Sequence, residues 1–205
     1  EKAAASAEEA GRLASSLGFP VVMKIDSPDI AHKTEAGGIA LNLGSAEAVS
    51  AEFEAMLARV KSHAPKARIQ GVLVQRMAPK GVEIVVGAHR DPAFGPLVVV
   101  GLGGVLVELM KDSVAAPAPV TPHEATDMLA RLRGAAILDG FRDLPAVDRG
   151  RLAEIVARVS EFAADAGEAL EELDVNPLIC RGDDIVAVDA LIIPAAAPAA
   201  ERKAG

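Results

Sequence analysis

The chain alternates between short apolar runs of strand length and longer runs in which apolar positions recur at helical spacing. Residues 6–17 and 46–62 have the spacing of amphipathic helices, and Ser6 with Glu9 forms a capping box at the start of the first. The short runs predict strands, at 21–25, 39–43, 69–76, 82–89, 97–100, 105–108 and 114–118. Because an Ala-Pro-Lys-Gly turn separates 69–76 from 82–89, we expect these two strands to form a hairpin.

The second half of the chain opens with the sequence Thr121-Pro122-His123-Glu124, which combines an N-cap, a proline at N1 and a capping glutamate. A further helix is predicted over 147–166, ending at Gly167. The runs 170–180 and 185–193 then predict a hairpin, and a low-complexity tail follows at 194–205. This order indicates an α+β fold rather than the regular βαβ alternation of a doubly wound sheet.

Composition narrows the class of protein. The chain has 205 residues, of which 51% are hydrophobic, so it is globular rather than disordered. A net charge of −8 and an aromatic content of 2% argue against a nucleic-acid partner. No apolar run reaches the ~18 residues that a membrane span needs. The single cysteine, Cys180, can form no internal disulfide, which suits a cytoplasmic protein. Because the chain starts at Glu1 directly before a predicted helix, we expect a fragment of something longer.

Two features have both a structural and a phosphate-binding interpretation. Lys24 interrupts the apolar run that begins at Val21. It is either a lysine at a strand end that extends its ammonium group to solvent, or a fixed charge for phosphate oxygens. The segment Gly101-Leu102-Gly103-Gly104 is either a tight turn or a loop that approaches phosphates. It lacks both the GxGxxG and the P-loop spacing, so its phosphate signal alone is weak.

The terminal hairpin has the residues of a metal site. On a strand over 170–180, Glu172, Asp174 and Asn176 would share one face. Asp189 lies on the returning strand within the apolar run IVAVDALII, where an isolated carboxylate is costly unless it is paired or binds a metal. Asp and Asn oxygens suit Mg²⁺ held between protein and substrate phosphates. The alternative is the polar face of an edge hairpin.

His32 lies on a predicted loop between Lys24 and the pair Gly37-Gly38, which we interpret as a hinge. A neutral imidazole there could accept a phosphoryl group and pass it on. The alternative is an ordinary loop or surface histidine. No HxH or HExxH spacing links the histidines, so a zinc site is not predicted.

Three segments occur in the order and spacing of one family: VVMKIDSPDIAHKTEAGGIALNL, VLVQRMAPKGVEIVVGAHRDPAFGPLVVVGLGGVLVELMKD and LEELDVNPLICRGDDIVAVDALI. The chain resembles, over about residues 6–193, the ATP-grasp domain of NDP-forming acyl-CoA synthetases. These are the ADP-forming acetate–CoA ligase type, related to the β subunit of succinyl-CoA synthetase. The resemblance implies an α+β ATP-grasp fold whose two lobes, with antiparallel or mixed sheets and flanking helices, clamp a nucleotide.

Residues 1–75 would form part of the small lobe, 76–193 the large lobe with the metal-binding hairpin, and 194–205 a disordered tail. Because the family's domain normally starts further upstream, we expect the small lobe to be truncated.

The resemblance also implies roles for single residues. Lys24 would bind the nucleotide phosphates, and Glu83 would lie near the ribose. His32 would relay a phosphoryl group. The main chain at Gln75, Arg76 and Met77 would bind the adenine edge. The loop with Gly101, Gly103 and Gly104 would close over the phosphates. Mg²⁺ would be bound by Asp174, Asn176 and Asp189.

The implied reaction is acid + CoA + ATP ⇌ acyl-CoA + ADP + phosphate, through an acyl phosphate and a phosphohistidine, with ATP/ADP and Mg²⁺ bound by this chain. The family's CoA-binding and ligase domains are absent from this sequence. They would lie elsewhere in the same polypeptide or in a partner subunit. An oligomer is compatible with either arrangement. Two alternatives stay open at this point. One is a ligand-sensing acyl-CoA synthetase-like domain of a protein lysine acetyltransferase. The other is a carboxylate–amine ATP-grasp ligase, which would have no use for His32.

Overall fold

The computed structural model of the chain describes residues 1–30, 33–104 and 111–195. The chain forms two compact units, Glu1–Met77 and Ala78–Gly205. The division into units falls after Met77. The lobe boundary after residue 75, which the family resemblance implies, stays a prediction.

The first unit is a four-stranded antiparallel sheet, in the order β1-β4-β2-β3, with two helices packed on one face. Its elements are β1 (Lys2–Ala4), α1 (Ala7–Leu17), β2 (Val21–Asp26), β3 (Ile39–Leu43), α2 (Ala46–His63) and β4 (Gly71–Arg76). Met23 and Ile25 of β2 point into a core that also contains Phe53 and Met56 of α2. The alternation of β2 therefore sets one face against the helices and leaves Val22 and Lys24 on the other.

The second unit is built on a larger antiparallel sheet in the order β10-β8-β5-β6-β7, with β9 paired to β8. Its strands are β5 (Val82–Asp91), β6 (Gly95–Leu102), β7 (Ser113–Pro117), β8 (Leu170–Arg181), β9 (Asp184–Ala187) and β10 (Ala190–Pro194). Its helices are α3 (Pro122–Ala130), α4 (Arg149–Ala166) and two short 3₁₀ turns, Ala135–Asp139 and Gly167–Ala169. Alternate residues of β5 and β6, among them Ile84 and Val100, pack against Leu129 of α3 and Leu152 of α4.

The helix starts follow their capping residues. The Ser6 hydroxyl accepts the N–H of Glu9 (3.2 Å), and Thr121 and Glu124 form a complete capping box. The last long helix starts at Arg149, two residues later than predicted, because Asp148 is its N-cap and accepts the N–H of Arg151 at 2.9 Å.

Two predictions about strands are wrong. The predicted hairpin of 69–76 with 82–89 does not form, because β4 pairs with β1 and β2 whereas β5 pairs with β6 and β8. The Pro79-Lys80-Gly81 connection instead joins the two sheets. In addition, β1 precedes α1, where no strand was predicted. The predicted strand 105–108 and residues 196–205 of the predicted tail lie outside the described residues.

None of the described helices is long and apolar enough to cross a membrane.

Candidate functional site

The sequence suggested a lysine at a strand end, but Lys24 lies in the middle of β2. It pairs with Leu73 of β4 and Ile39 of β3, and only 5% of its surface is exposed. The alternative in which it extends to solvent is therefore wrong. Val22, two residues earlier on the same face, pairs with Gln75. The sheet thus places Lys24 and Gln75, both candidate nucleotide-binding residues, on its face away from the helices.

The turn over 33–38 ends in a Schellman motif. The N–H of Gly38 donates to the carbonyl of Lys33 (2.7 Å), and the N–H of Gly37 donates to that of Thr34 (3.0 Å). Gly37 has the left-handed φ of +66° that this motif requires, and a Cβ on Gly38 would lie 2.5 Å from Cγ2 of Ile25. The geometry gives the two glycines roles in the turn and in packing, and it does not support their interpretation as a hinge.

His32, the predicted phosphoryl carrier, lies outside the described residues. Before it, Asp29 forms an ion pair with Arg68. Its Oδ2 accepts the main-chain N–H (2.7 Å) and Nε (3.0 Å) of Arg68, and its Oδ1 accepts from Nη2 (2.8 Å). The side-chain hydrogen bonds from Arg68, followed by its main-chain N–H, lower the pKa of Asp29 to about 2. This ion pair fixes the segment before His32 to the residues that precede β4.

The predicted adenine-binding residues stand at the end of β4. The Gln75 side chain donates to the carboxylate of Glu1, and Arg76 is exposed. The N–H of Met77 donates to the carbonyl of Pro20 at 3.1 Å. The Met77 N–H is therefore already bonded within the protein.

Glu83 and the glycine segment come together at one end of β5 and β6. The N–H of Gly103 donates to the carbonyl of Glu83 at 2.6 Å, and a Cβ on Gly104 would lie 2.9 Å from Oε2 of Glu83. A carboxylate beside Gly104 repels a phosphate, and the Gly103 N–H is already used. This arrangement favours contact with the nucleoside end of a nucleotide rather than with its phosphates.

A cavity of about 170 Å³ opens at this place. Its lining combines Glu83 and the glycines with four apolar side chains, those of Val82, Leu102, Ile137 and Leu144. Whole small-molecule sites start at roughly 300 Å³, so this cavity has room for one part of a nucleotide, such as the base or the ribose. No pattern in the sequence marks Ile137 and Leu144, because both look like ordinary core positions.

The candidate metal ligands meet at an irregularity in β8. Ile84 of β5 pairs with Leu178, but Val86 pairs with Val175, so β8 has one extra residue around Asn176 and Pro177. The bulge interrupts the simple alternation that the sequence predicted for Asp174 and Asn176. Even so, Nδ2 of Asn176 lies 3.4 Å from Oδ2 of Asp174.

The sequence predicts Asp189 within one continuous strand over 185–193. This is wrong, because Asp189 lies in the break between β9 and β10. Its carbonyl accepts the N–H of Asn176 at 3.1 Å, and its Oδ1 accepts the N–H of Ala190 at 3.0 Å. Asp174 and Asn176 are thus in side-chain contact, and Asp189 is their neighbour on the sheet through its main chain.

The chemistry of these three residues fits Mg²⁺. Two carboxylates and one amide offer hard oxygen ligands but fewer than the six of an octahedral shell, which suits an ion shared with nucleotide phosphates and water. In the described part of the chain, no three His, Cys, Asp or Glu side chains form a metal-binding group by themselves.

The fold has two α+β units with antiparallel sheets, and a buried lysine lies on a strand of the first. The sequence profile described as "ATP-grasp domain" matches residues 1–193. The chain therefore belongs to the ATP-grasp family.

Within that family its relatives include ADP-forming acetate–CoA ligases. The chain is 40% identical over 192 residues to "Acetate--CoA ligase [ADP-forming] I subunit beta" of Pyrococcus furiosus, covering 94% of this chain and 82% of that subunit. It is 43% identical to "Acetate--CoA ligase [ADP-forming] I" of Archaeoglobus fulgidus, over 85% of this chain but only 25% of that longer protein.

A solved structure agrees with this placement. The "dinucleotide forming Acetyl-coenzyme A synthetase 1" of Ca. Korarchaeum cryptofilum, in complex with coenzyme A and Ca-AMPCP, superposes with a TM-score of 0.90 at 40% identity, over 94% of this chain and 84% of that chain. These relatives are ligases and synthetases, and they do not support the acetyltransferase-sensor alternative.

Proposed function

We propose that this chain is the nucleotide-binding ATP-grasp subunit or domain of an ADP-forming acyl-CoA synthetase, with ATP/ADP and Mg²⁺ as its ligands. The overall reaction is acid + CoA + ATP ⇌ acyl-CoA + ADP + phosphate. The observation on which the proposal depends is the side-chain contact of Asp174 with Asn176 at the β8 bulge, where the main chain of Asp189 is hydrogen-bonded to that of Asn176. Similarity to the acetate–CoA ligase β subunit supports the choice of reaction.

In this proposal, different side chains bind different parts of the nucleotide. Lys24, a buried point charge on β2, binds phosphate oxygens. Asp174, Asn176 and Asp189 hold Mg²⁺, which when bound neutralises phosphate charge. Glu83, beside the apolar cavity, binds the ribose. This division makes Gly103 and Gly104 part of the nucleoside pocket, in place of the phosphate role that the resemblance implied.

The adenine edge and the phosphoryl carrier complete the proposed site. Gln75, Arg76 and Met77 bind the adenine edge through groups other than the Met77 N–H, which is bonded to Pro20. His32 is the phosphoryl carrier. The bond between the γ-phosphorus of ATP and its bridging oxygen breaks, a bond from that phosphorus to an imidazole nitrogen forms, and ADP leaves while the imidazole loses its N–H proton. Phosphate labelling of the complete synthetase tests this: we expect His32→Ala to abolish labelling of this chain and His123→Ala to preserve it.

The proposed partners are CoA-binding and ligase domains, as a separate subunit or in the same polypeptide. One relative is named a β subunit, and in another this chain spans a quarter of the protein. The proposal places the assembled enzyme in the cytoplasm, with its CoA and carboxylic-acid sites on the other domains.

Calorimetric titration of the chain with ADP, with and without Mg²⁺, tests the proposal. We expect Mg²⁺-dependent binding that weakens about tenfold or more in Asp174→Asn, because a ligand charge is lost. Asp184→Asn, an exposed aspartate on β9, is the matched control and should bind as the unmodified chain does. A folded chain that binds neither ADP nor ATP with Mg²⁺ would disprove the proposal.

A further inference from the structure

Asp112 is a buried carboxylate for which the sequence predicted no role. It directly precedes β7, and 5% of its surface is exposed. Its Oδ1 accepts the N–H of Arg133 at 2.9 Å, and its Oδ2 accepts the N–H of Gly134 at 2.8 Å. Burial favours the neutral acid, but these two N–H groups, with the nearby guanidinium of Arg133, outweigh it and lower the pKa of Asp112.

The main chain of Asp112 contacts the glycine segment on its other side. Its carbonyl accepts the N–H of Leu102 at 3.2 Å and lies 2.9 Å from where a Cβ on Gly101 would be. Gly134 is also close to this segment, since a Cβ there would lie 2.5 Å from Cδ1 of Leu102. Asp112 therefore links the stretch that contains Leu102 to the stretch that contains Arg133 and Gly134.

The two stretches lead to the cavity beside Glu83. Leu102 and the glycines after it form one wall, and Ile137 of the lining lies in the 3₁₀ turn that begins directly after Gly134. Asp112 itself does not line the cavity. Its carbonyl contacts Leu102, which does, and its carboxylate contacts Gly134, which directly precedes the turn that carries Ile137.

The residue before Asp112 has an unfavourable backbone conformation. Lys111 has a φ of +45°, in the left-handed region that side chains other than Gly and Asn rarely adopt. Such a conformation persists where the surroundings fix it, and it occurs often near functional sites. Here the hydrogen bonds of Asp112 fix the next residue.

We propose that Asp112 is a positioning residue for nucleotide binding, which holds Leu102 and the Gly134–Ile137 turn at the separation that the nucleoside requires. The inference rests on the proposed function, because it assumes that the cavity beside Glu83 accepts part of ADP or ATP. Asp112 acts only through its neighbours and touches no nucleotide.

The test compares Asp112→Asn with Ser160→Ala by titration with Mg²⁺ and ADP and by thermal unfolding. Ser160 is a buried polar residue of the same unit, and its hydroxyl accepts the N–H of Val120 at 2.9 Å, away from the cavity. Both substitutions impair a buried hydrogen-bond acceptor and should lower Tm. We expect Kd for ADP to rise about tenfold in Asp112→Asn and to stay within about twofold in Ser160→Ala, since only the first displaces cavity walls.

Two more variants separate positioning from charge and from failure to fold. Gly134→Ala keeps Asp112 but pushes a methyl group against Leu102, so it should also raise Kd. Arg133→Met removes an exposed guanidinium and keeps the main-chain N–H that Asp112 binds, so it should leave Kd within about threefold. If Asp112→Asn does not fold, the comparison of Gly134→Ala with Ser160→Ala decides the question.

The possible outcomes are distinct. An unmodified chain that fails to bind ADP overturns the proposed function and this inference with it. If the unmodified chain binds ADP, and Asp112→Asn and Gly134→Ala have Kd values no higher than that of Ser160→Ala, the proposed function stands and this inference is overturned.

Discussion

A lysine buried in the middle of a strand is costly unless its charge is used. Lys24 occupies such a position, between Ile39 and Leu73 on the sheet face away from the helices. Several aliphatic side chains would suit this position if packing alone mattered, and the proposed function gives the charge a use, the binding of phosphate oxygens. The sequence indicated this choice because Lys24 interrupts an otherwise apolar run.

We therefore predict that Lys24→Met weakens binding of Mg²⁺–ADP about 10- to 100-fold, the loss expected for hydrogen bonds to a charged group. Methionine keeps most of the side-chain volume, so the fold should persist, which far-UV circular dichroism checks. Lys61→Met, an exposed lysine on α2, is the control for charge alone and should not change Kd by calorimetry. Equal Kd values in the two variants would contradict a phosphate role for Lys24.

The Asp29–Arg68 pair predicts a pH dependence of stability. Arg68 lowers the pKa of Asp29 to about 2, below its ordinary value of 3.8. A carboxylate with a lowered folded-state pKa stabilises the protein above its unfolded pKa, and this contribution is lost as the pH falls through the folded one. The contribution should therefore be constant above about pH 5 and disappear between about pH 4 and 2.

Urea unfolding from pH 6 to pH 2 measures this. We expect Asp29→Asn to be less stable than the unmodified chain near neutral pH, with the difference shrinking toward pH 2. Asp165→Asn, an exposed aspartate on α4, should run parallel to the unmodified chain across the same range. A difference between Asp29→Asn and the unmodified chain that does not change with pH would rule out the ion pair as its source.

At the scale of elements, the turn over 33–38 shows how two adjacent glycines can have different physical roles. Gly37 is needed for its φ of +66°, whereas Gly38 is needed because Ile25 leaves no room for a Cβ. The pair Gly-Gly in a sequence indicates a special backbone but does not distinguish a hinge from a packed turn. That distinction depends on Ile25, which is distant enough in sequence to leave no local signal.

Gly38→Ala should accordingly destabilise the chain by about 1–3 kcal/mol, the usual cost of overpacking. Gly44→Ala is the matched control, because a Cβ at Gly44 meets no atom within 4 Å and its φ is not in the left-handed region. Denaturant unfolding of both variants gives the comparison. If Gly38→Ala is as stable as Gly44→Ala, the segment adapts freely, and the hinge interpretation regains support.

Local signals predicted most elements of this chain, since helix starts are set by neighbouring residues such as Ser6 and Thr121. Strand partners are not set locally. The Pro79-Lys80-Gly81 connection has the composition of a hairpin turn, yet β4 and β5 lie in different sheets because each buries its alternate side on a different core. The short β1, with the sequence Lys-Ala-Ala, lacks the β-branched residues that mark a strand.

For the whole molecule, the candidate site could be predicted as a set of residues but not as a geometry. Asp174, Asn176 and Asp189 were found from carboxylates in apolar strands and from family resemblance. The bulge that brings them together depends on pairing between β8 and β5, which no local pattern specifies. The proposed roles of Asp112, Ile137 and Leu144 could not be predicted for the same reason, because they depend on contacts between residues distant in sequence.

The separate cores of the two units lead to a last prediction, that residues 78–195 fold without residues 1–77. The core around Ile84, Val100 and Leu152 contains only residues of the second unit. A unit of this length buries enough apolar surface for cooperative folding. Because the chain has no Trp or Tyr, calorimetry and far-UV circular dichroism are the suitable measurements. We expect one transition with an unfolding enthalpy of roughly 80 kcal/mol near 60 °C.

Leu152→Ala serves as the internal check on that fragment. Leu152 is fully buried in the second core, so its truncation should cost about 2–5 kcal/mol in the fragment and the same amount in the second unit of the full chain. Equal losses in the two contexts mean that the core is complete within residues 78–195. A fragment that melts broadly and is insensitive to Leu152→Ala would mean that the second core needs the first unit to form.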